Sequence, residues 1–137
     1  MHIQPYLFFN GRFEEALDFY RNALGAEIVM LMRYKDSPEP AQPGMVPPGA
    51  EDKVMHASFR IGDTMLMASD GECKGQPNFQ GFSLSLTPPG EAEAKRLFGV
   101  LAEGGQVRMP LTKTFFSPAF GMLADRFGLS WMIYVTP

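Results

Sequence analysis

The sequence predicts an α+β protein: two βαβββ modules forming a curved eight-stranded mixed sheet, with helices on the convex face and an open cup on the concave one. Three observations predict it. Short apolar runs of strand length alternate with two helical stripes. The order strand, helix, strand, strand, strand occurs twice. The stripe Phe13/Ala16/Leu17/Tyr20 returns as Ala94/Leu97/Phe98/Leu101, 81 positions on. Self-similarity at a fixed offset marks a duplicated unit. One domain over residues 1–137 is expected, made of modules 1–75 and 76–137.

In the first module "QPYLFF" reads as a strand ending at Asn10-Gly11. "RFEEALDFYRNALGAE" follows with apolar residues at i, i+3, i+4 and i+7, one face of a helix. Glu14 and Glu15 favour its first turn, and Gly25 sits where a left-handed cap is expected. "EIVMLMRY" is a second strand. Residues 36–53 carry five prolines, which suit neither a helix interior nor a central strand, so they form a long loop of the kind used as lids. Residues 55–61 and 64–69 are strands joined by a tight Gly62-Asp63 turn.

The second module opens with the alternating strand "GFSLSLT", in which Phe82, Leu84 and Leu86 face one way and Ser83 and Ser85 the other. A helix follows with Pro88 at its first position, and Gly104-Gly105 ends it. "QVRMPLT", "FFSPAFGMLAD" and "LSWMIYV" complete the module.

Composition narrows the function. A 45% hydrophobic, 20% charged chain is that of a globular protein, and a net charge of −3 gives no basic excess for nucleic acid. No apolar run approaches the roughly 20 residues of a membrane span. Cys73, the single cysteine, allows no internal disulfide. With an N-terminus unlike a signal peptide, this leads to a cytoplasmic expectation.

His56 is the only histidine beyond the first two residues. It alternates with Ser58 and Arg60, while Ala57, Phe59 and Ile61 are the expected core. Three roles are open to it: a polar residue facing water, a hydrogen-bonding or proton-transferring group for a bound ligand, and a metal ligand. It is the best catalytic candidate, with catalysis itself left unassigned. Arg60 could meet an anion or water. Asp70 could be a base or a turn residue. Cys73 could be a nucleophile only in an electropositive setting, which Asp70 and Glu72 oppose and Lys74 favours. Methionine pairs at strand spacing, Met30/Met32 and Met65/Met67, suit core filling or an adaptable pocket.

With "ALDFYRNALGAE" in the first half and "DRFGLSWMIYV" at the end, the chain resembles the vicinal oxygen chelate superfamily of glyoxalase, bleomycin resistance and dioxygenase proteins. "PYLFFNG", "MHASFRIGDTMLMASD", "GFSLSL" and "FGMLADRFGLSWMI" are most similar to its PhnB-like branch, often labelled 3-demethylubiquinone-9 3-methyltransferase. The resemblance implies a homodimer. It also implies metal ligands (His, Gln or Glu) on the first and last strand of each half, pointing into the cup. With Leu7 and Phe9 under the helix, Gln4, Tyr6 and Phe8 face the cup; with Trp131 and Ile133 under a helix, Ser130, Met132 and Tyr134 do. The ligand places then fall on Gln4, on Met67 or Ser69, on Gly81 or Ser83, and on Met132. Only Gln4 suits a hard divalent ion, so no metal and no cofactor are expected. Nor does "FFNGRFEEA" or "TPPGEAEA" supply the glycine-rich turn of a methyl-donor site.

The resulting expectation is a small-molecule-binding protein, not one for nucleic acid or membrane. Its site is lined by Gln4, Tyr6, Phe8, His56, Ser58, Arg60, Met67, Ser83, Ser85, Met132 and Tyr134. The alternatives are an enzyme (the labelled methyltransferase, or a metal-dependent lyase, isomerase or dioxygenase) and a drug-sequestering resistance protein.

Overall fold

The computed structural model describes residues 1–37 and 48–137. Most of the expected proline-rich lid, 38–47, lies outside the described residues. The chain divides into two compact units, Met1–Pro77 and Asn78–Pro137.

The first unit contains β1 (Tyr6–Phe8), α1 (Phe13–Leu24), β2 (Glu27–Arg33), β3 (Val54–Ile61) and β4 (Thr64–Ser69). Its strands lie in the order β1-β4-β3-β2, with β1 parallel to β4 and the other pairs antiparallel. The second unit contains β5 (Leu84–Leu86), α2 (Glu91–Ala102), β6 (Gln106–Thr112), β7 (Phe120–Ala124) and β8 (Ser130–Tyr134), in the matching order β5-β8-β7-β6. Here too the first and last strands pair in parallel. Sequence duplication and strand order thus agree. The eight strands are hydrogen-bonded as two four-stranded mixed sheets.

Each unit buries one face of its sheet under its helix. In the first, α1 buries Phe13, Ala16, Leu17, Tyr20 and Ala23. Phe13 sits 5.8 Å from Phe9 on the segment leaving β1 and 5.9 Å from Phe59 on β3, ring centre to ring centre. Burying each such ring contributes about 1.5–3 kcal/mol. That matters because the residue before the helix, Arg12, gives it no side-chain cap, and a twelve-residue helix is marginal without tertiary packing. The C-terminal end is as expected: Gly25 is left-handed at φ 68°, and its N–H reaches the carbonyl of Arg21.

Strand parity holds in β1, β3 and β8 and breaks at the bulges of β2 and β6. Leu7, Phe9, Ala57 and Phe59 are buried, whereas Tyr6 and Phe8 are 37% and 55% exposed. Trp131 and Ile133 are buried beneath α2's side of the second sheet. Ile61, expected in the core, is only half-buried; it ends the hairpin opposite Thr64, past the reach of α1. The Gly62-Asp63 turn is as read, with Gly62 at φ 56°.

The second unit departs from expectation in two places. The strand expected over 81–87 is only Leu84–Leu86, because Gly81 turns the chain at φ 83°. Phe82 therefore leaves the alternation and is 43% exposed, while Leu84 and Leu86 stay opposite Trp131 and Ile133. Pro88 is not the first residue of α2. The helix starts at Glu91 behind an extended Gly90, since a proline disfavours helical geometry in the residue before it and Pro89 follows Pro88 directly.

Candidate functional site

The face of the first sheet turned away from α1 carries a tyrosine–histidine pair. Residues opposite each other across a ladder share a face. Tyr6 is opposite Met67, Met67 opposite Ser58, Ser58 opposite Met30, and His56 opposite Met32. The Tyr6 ring reaches across β4, so that its Oη lies 2.9 Å from Nδ1 of His56. The two rings stand 5.5 Å apart, and Phe8 lies 5.0 Å from Tyr6 on the other side. A neutral His56 either accepts the tyrosine O–H at Nδ1 and carries its own proton on Nε2, or donates Nδ1–H to the phenol oxygen and leaves Nε2 an acceptor. A charged one donates Nδ1–H to the phenol oxygen. In each case an oriented polar nitrogen, Nε2, stands in a field of thioethers and a phenylalanine, the mixture of few polar groups on an apolar ground that small-molecule sites use. Beside Phe8 lies a hollow of about 380 Å³, bounded by Asn10, Gly71, Glu72 and Lys74.

The other residues expected in this half lie as follows. Ser58 and Met67 share its face. Arg60 is on that face too, but Glu27 faces it across the ladder and ion-pairs with it at 2.8 Å, so its charge is matched internally. Gln4 lies ahead of β1 and is exposed.

Asp70 is a structural carboxylate. It is 1% exposed and accepts the Phe13 N–H at 2.8 Å and the Val54 N–H at 2.7 Å. It thereby supplies the N-terminal cap that Arg12 does not, and it fixes the start of β3. Cys73 sits nearby at φ 56°. Burial first, then the Asp70 charge, push its thiol above the usual cysteine value, with Lys53 opposing. Glu72 is paired with Lys74 instead.

In the second unit, Ser85 is opposite Met132, Met132 opposite Met122, and Met122 opposite Met109. Tyr134 joins an aromatic cluster, stacked 6.3 Å from Phe116 and edge-on to Phe120. A hollow of about 540 Å³ is lined by Phe79, Gln80, Gly81, Phe82, Ser83, Arg108, Ser130 and Met132. Arg108 donates from Nη1 to Ser130 Oγ at 2.7 Å. Sequence reasoning missed Arg108. It lies at a bulge between Val107 and Met109, where alternation loses its meaning.

The positions that the superfamily uses for metal do not fit one here. Gln4, Gly81 and Ser83 lie outside the strands, and the strand positions offer Met67 and Met132 thioethers, poor donors for a hard divalent ion, or the Ser69 hydroxyl, which accepts the Gly71 N–H. Among the described residues, no three His, Cys, Asp or Glu side chains converge in a way that could hold a metal ion. No helix among them is long and apolar enough to cross a membrane.

A duplicated βαβββ unit with matching strand order is the fold of the glyoxalase/bleomycin resistance/dioxygenase superfamily. A member of that superfamily from Sphaerobacter thermophilus, 17% identical, superposes with a TM-score of 0.57 over 98% of each chain and shares the fold alone. The family follows from closer matches. The model described as 3-demethylubiquinone-9 3-methyltransferase matches residues 1–134. Protein PA1353 from Pseudomonas aeruginosa is 43% identical with a TM-score of 0.84, covering 99% of this chain and 98% of its own. A putative 3-demethylubiquinone-9 3-methyltransferase, PhnB protein, from Bacillus cereus is 33% identical with a TM-score of 0.80, over 99% and 100%. Protein YjdN of Escherichia coli K12 is 34% identical over 140 residues, 98% of this chain and 95% of its own. The chain belongs to this PhnB-like, 3-demethylubiquinone-9 3-methyltransferase-like family.

Proposed function

We propose that this protein binds a small amphipathic molecule on its open sheet faces, without a resident metal, as a cytoplasmic homodimer. The Tyr6–His56 pair is the polar anchor. Phe8, Ser58 and Met67 form its surroundings, and Ser83, Ser85, Met132 and Tyr134 serve the second unit. The observation that carries this reading is the 2.9 Å contact between Tyr6 Oη and His56 Nδ1 on a face of methionines and aromatics. Water alone would be met by any polar side chain, but a tyrosine that reaches over a neighbouring strand to fix an imidazole orients one ring nitrogen. Dimerisation is supported by the apolar side chains this face leaves open in a lone chain, Phe8 at 55% and Met30 at 42%. A cytoplasmic location is supported by the free thiol of Cys73.

The test is a panel of neutral and charged amphipathic compounds followed through the His56 ring and Tyr6 resonances. At least one is expected to move both, and His56→Ala to abolish its binding. A panel that leaves both residues unmoved would refute the reading.

The family's label favours a second reading, methyl transfer. Against it stands the N-terminus of α1, where a methyl-donor cofactor would meet a strand-to-helix turn. There the Phe13 N–H is already taken by the buried Asp70 carboxylate. Calorimetry with S-adenosylmethionine separates the two: no heat of binding is expected, and saturable binding would restore the label.

A further inference from the structure

We propose that the hollow of the second unit is a binding site for a small aromatic monocarboxylate, with Arg108 as its anion anchor. The proposal rests on the reading that the open sheet faces take a small molecule, and adds that molecule's charge and class. Arg12, Arg21, Arg33, Arg60 and Arg96 are each ion-paired to a carboxylate. Arg108 is not, among the described residues. Its one recorded bond, from Nη1 to Ser130 Oγ, fixes the guanidinium and leaves the Nε/Nη2 edge open. That edge is the fork that meets a carboxylate with two parallel hydrogen bonds.

The rest of the hollow sets the class. Among the described residues lining it Arg108 is the only charged one, so one negative charge is matched and a phosphate dianion is not. Phe79 and Phe82 stand edge to face at 6.3 Å and 87°, and Met132 adds a thioether to the lining, together suited to a flat ring. The volume of about 540 Å³ is in the range of small-molecule sites. The chain's net charge of −3 gives no general attraction for anions, so recognition must be local.

The experiment is a titration of isotope-labelled protein with benzoate and with benzamide, its uncharged counterpart, read at the amides of Ser83, Arg108 and Met132. Benzoate is expected to saturate these shifts and benzamide to bind about tenfold or more weakly, the scale of one charge-assisted contact. Arg108→Gln should lower benzoate affinity about tenfold and leave benzamide unchanged, with Arg108→Lys in between because the fork is lost. Equal binding of the two probes, or full benzoate affinity in Arg108→Gln, would overturn the proposal. So would displacement of benzoate by an equal concentration of inorganic phosphate. Benzoate that moves none of these amides, while a neutral probe still moves His56, removes the carboxylate site and leaves the broader reading in place. Silence at both removes both.

Discussion

Asp70 is the side chain whose loss the first unit should feel most. Removing it strands two buried backbone donors, Phe13 N–H and Val54 N–H. Asp70→Ala is therefore expected to cost about 2–6 kcal/mol in a denaturant titration, about one to three for each of the two stranded donors. Loss of less than about 1 kcal/mol would mean water replaces the carboxylate. Asp125 is a second buried structural carboxylate, but it holds the β7–β8 turn rather than a helix end, accepting from the N–H groups of Phe127 and Leu129 and from Trp131 Nε1. The sequence left Asp70 open as a base or a turn residue because its partners lie 57 and 16 positions away, where no local pattern reaches. The Tyr6–His56 contact, 50 positions apart, was hidden for the same reason, though alternation alone placed each ring on the correct face. Cys73, its thiol pushed up chiefly by burial, should alkylate with iodoacetamide at pH 7.5 more slowly than glutathione does. Faster alkylation would reveal an activated thiolate.

At the scale of the element, helix stripes and strand interiors were legible, and strand ends were not. Periodicity found both helices, but the starts of α2 and β5 depend on proline and glycine backbone geometry at Pro89 and Gly81. How closely helix meets sheet was also unreadable. A Cβ at Gly121 on β7 would stand 2.7 Å from Phe98 on α2 and 3.0 Å from the Leu111 backbone on β6. Gly121→Ala is thus expected to lower stability by about 1–3 kcal/mol, measured by thermal or denaturant unfolding. A neutral result would show that Phe98 simply swings aside. The α1–β2 junction adds a pH dependence. The Arg33 guanidinium donates to Glu14 and to the carbonyl of Asp52. The hydrogen bond from Arg33 holds the Glu14 carboxyl below its ordinary value of 4.5, with burial opposing. A depressed carboxyl contributes fully above the unfolded value and loses its contribution as pH falls through the lower folded one. Glu14 is half exposed, so the effect is small, about 0.5 kcal/mol after solvent screening. Glu14→Gln should be less stable than the parent at pH 7 by that amount, with the gap closing as the pH falls through the lowered folded value. A gap that widens in acid would contradict the assignment.

For the molecule as a whole, duplication was the strongest signal in the sequence, and the matching orders β1-β4-β3-β2 and β5-β8-β7-β6 are its structural counterpart. What the fold is used for was less legible, since the motifs that identify the family are fold signatures and, apart from Gln4, the positions that metal-using relatives give to ligands hold methionine, serine or glycine. Sedimentation at micromolar concentration is expected to give the mass of two chains, and a monomer would count against the proposed homodimer. The central claim is that the Tyr6–His56 face holds an organic molecule. It is tested most directly by a crystal of protein purified from cells without chelator. The account predicts density for an organic molecule against His56 Nε2 and Phe8. A metal ion bound at Gln4 or His56, or an imidazole turned away from a bare face, would contradict it.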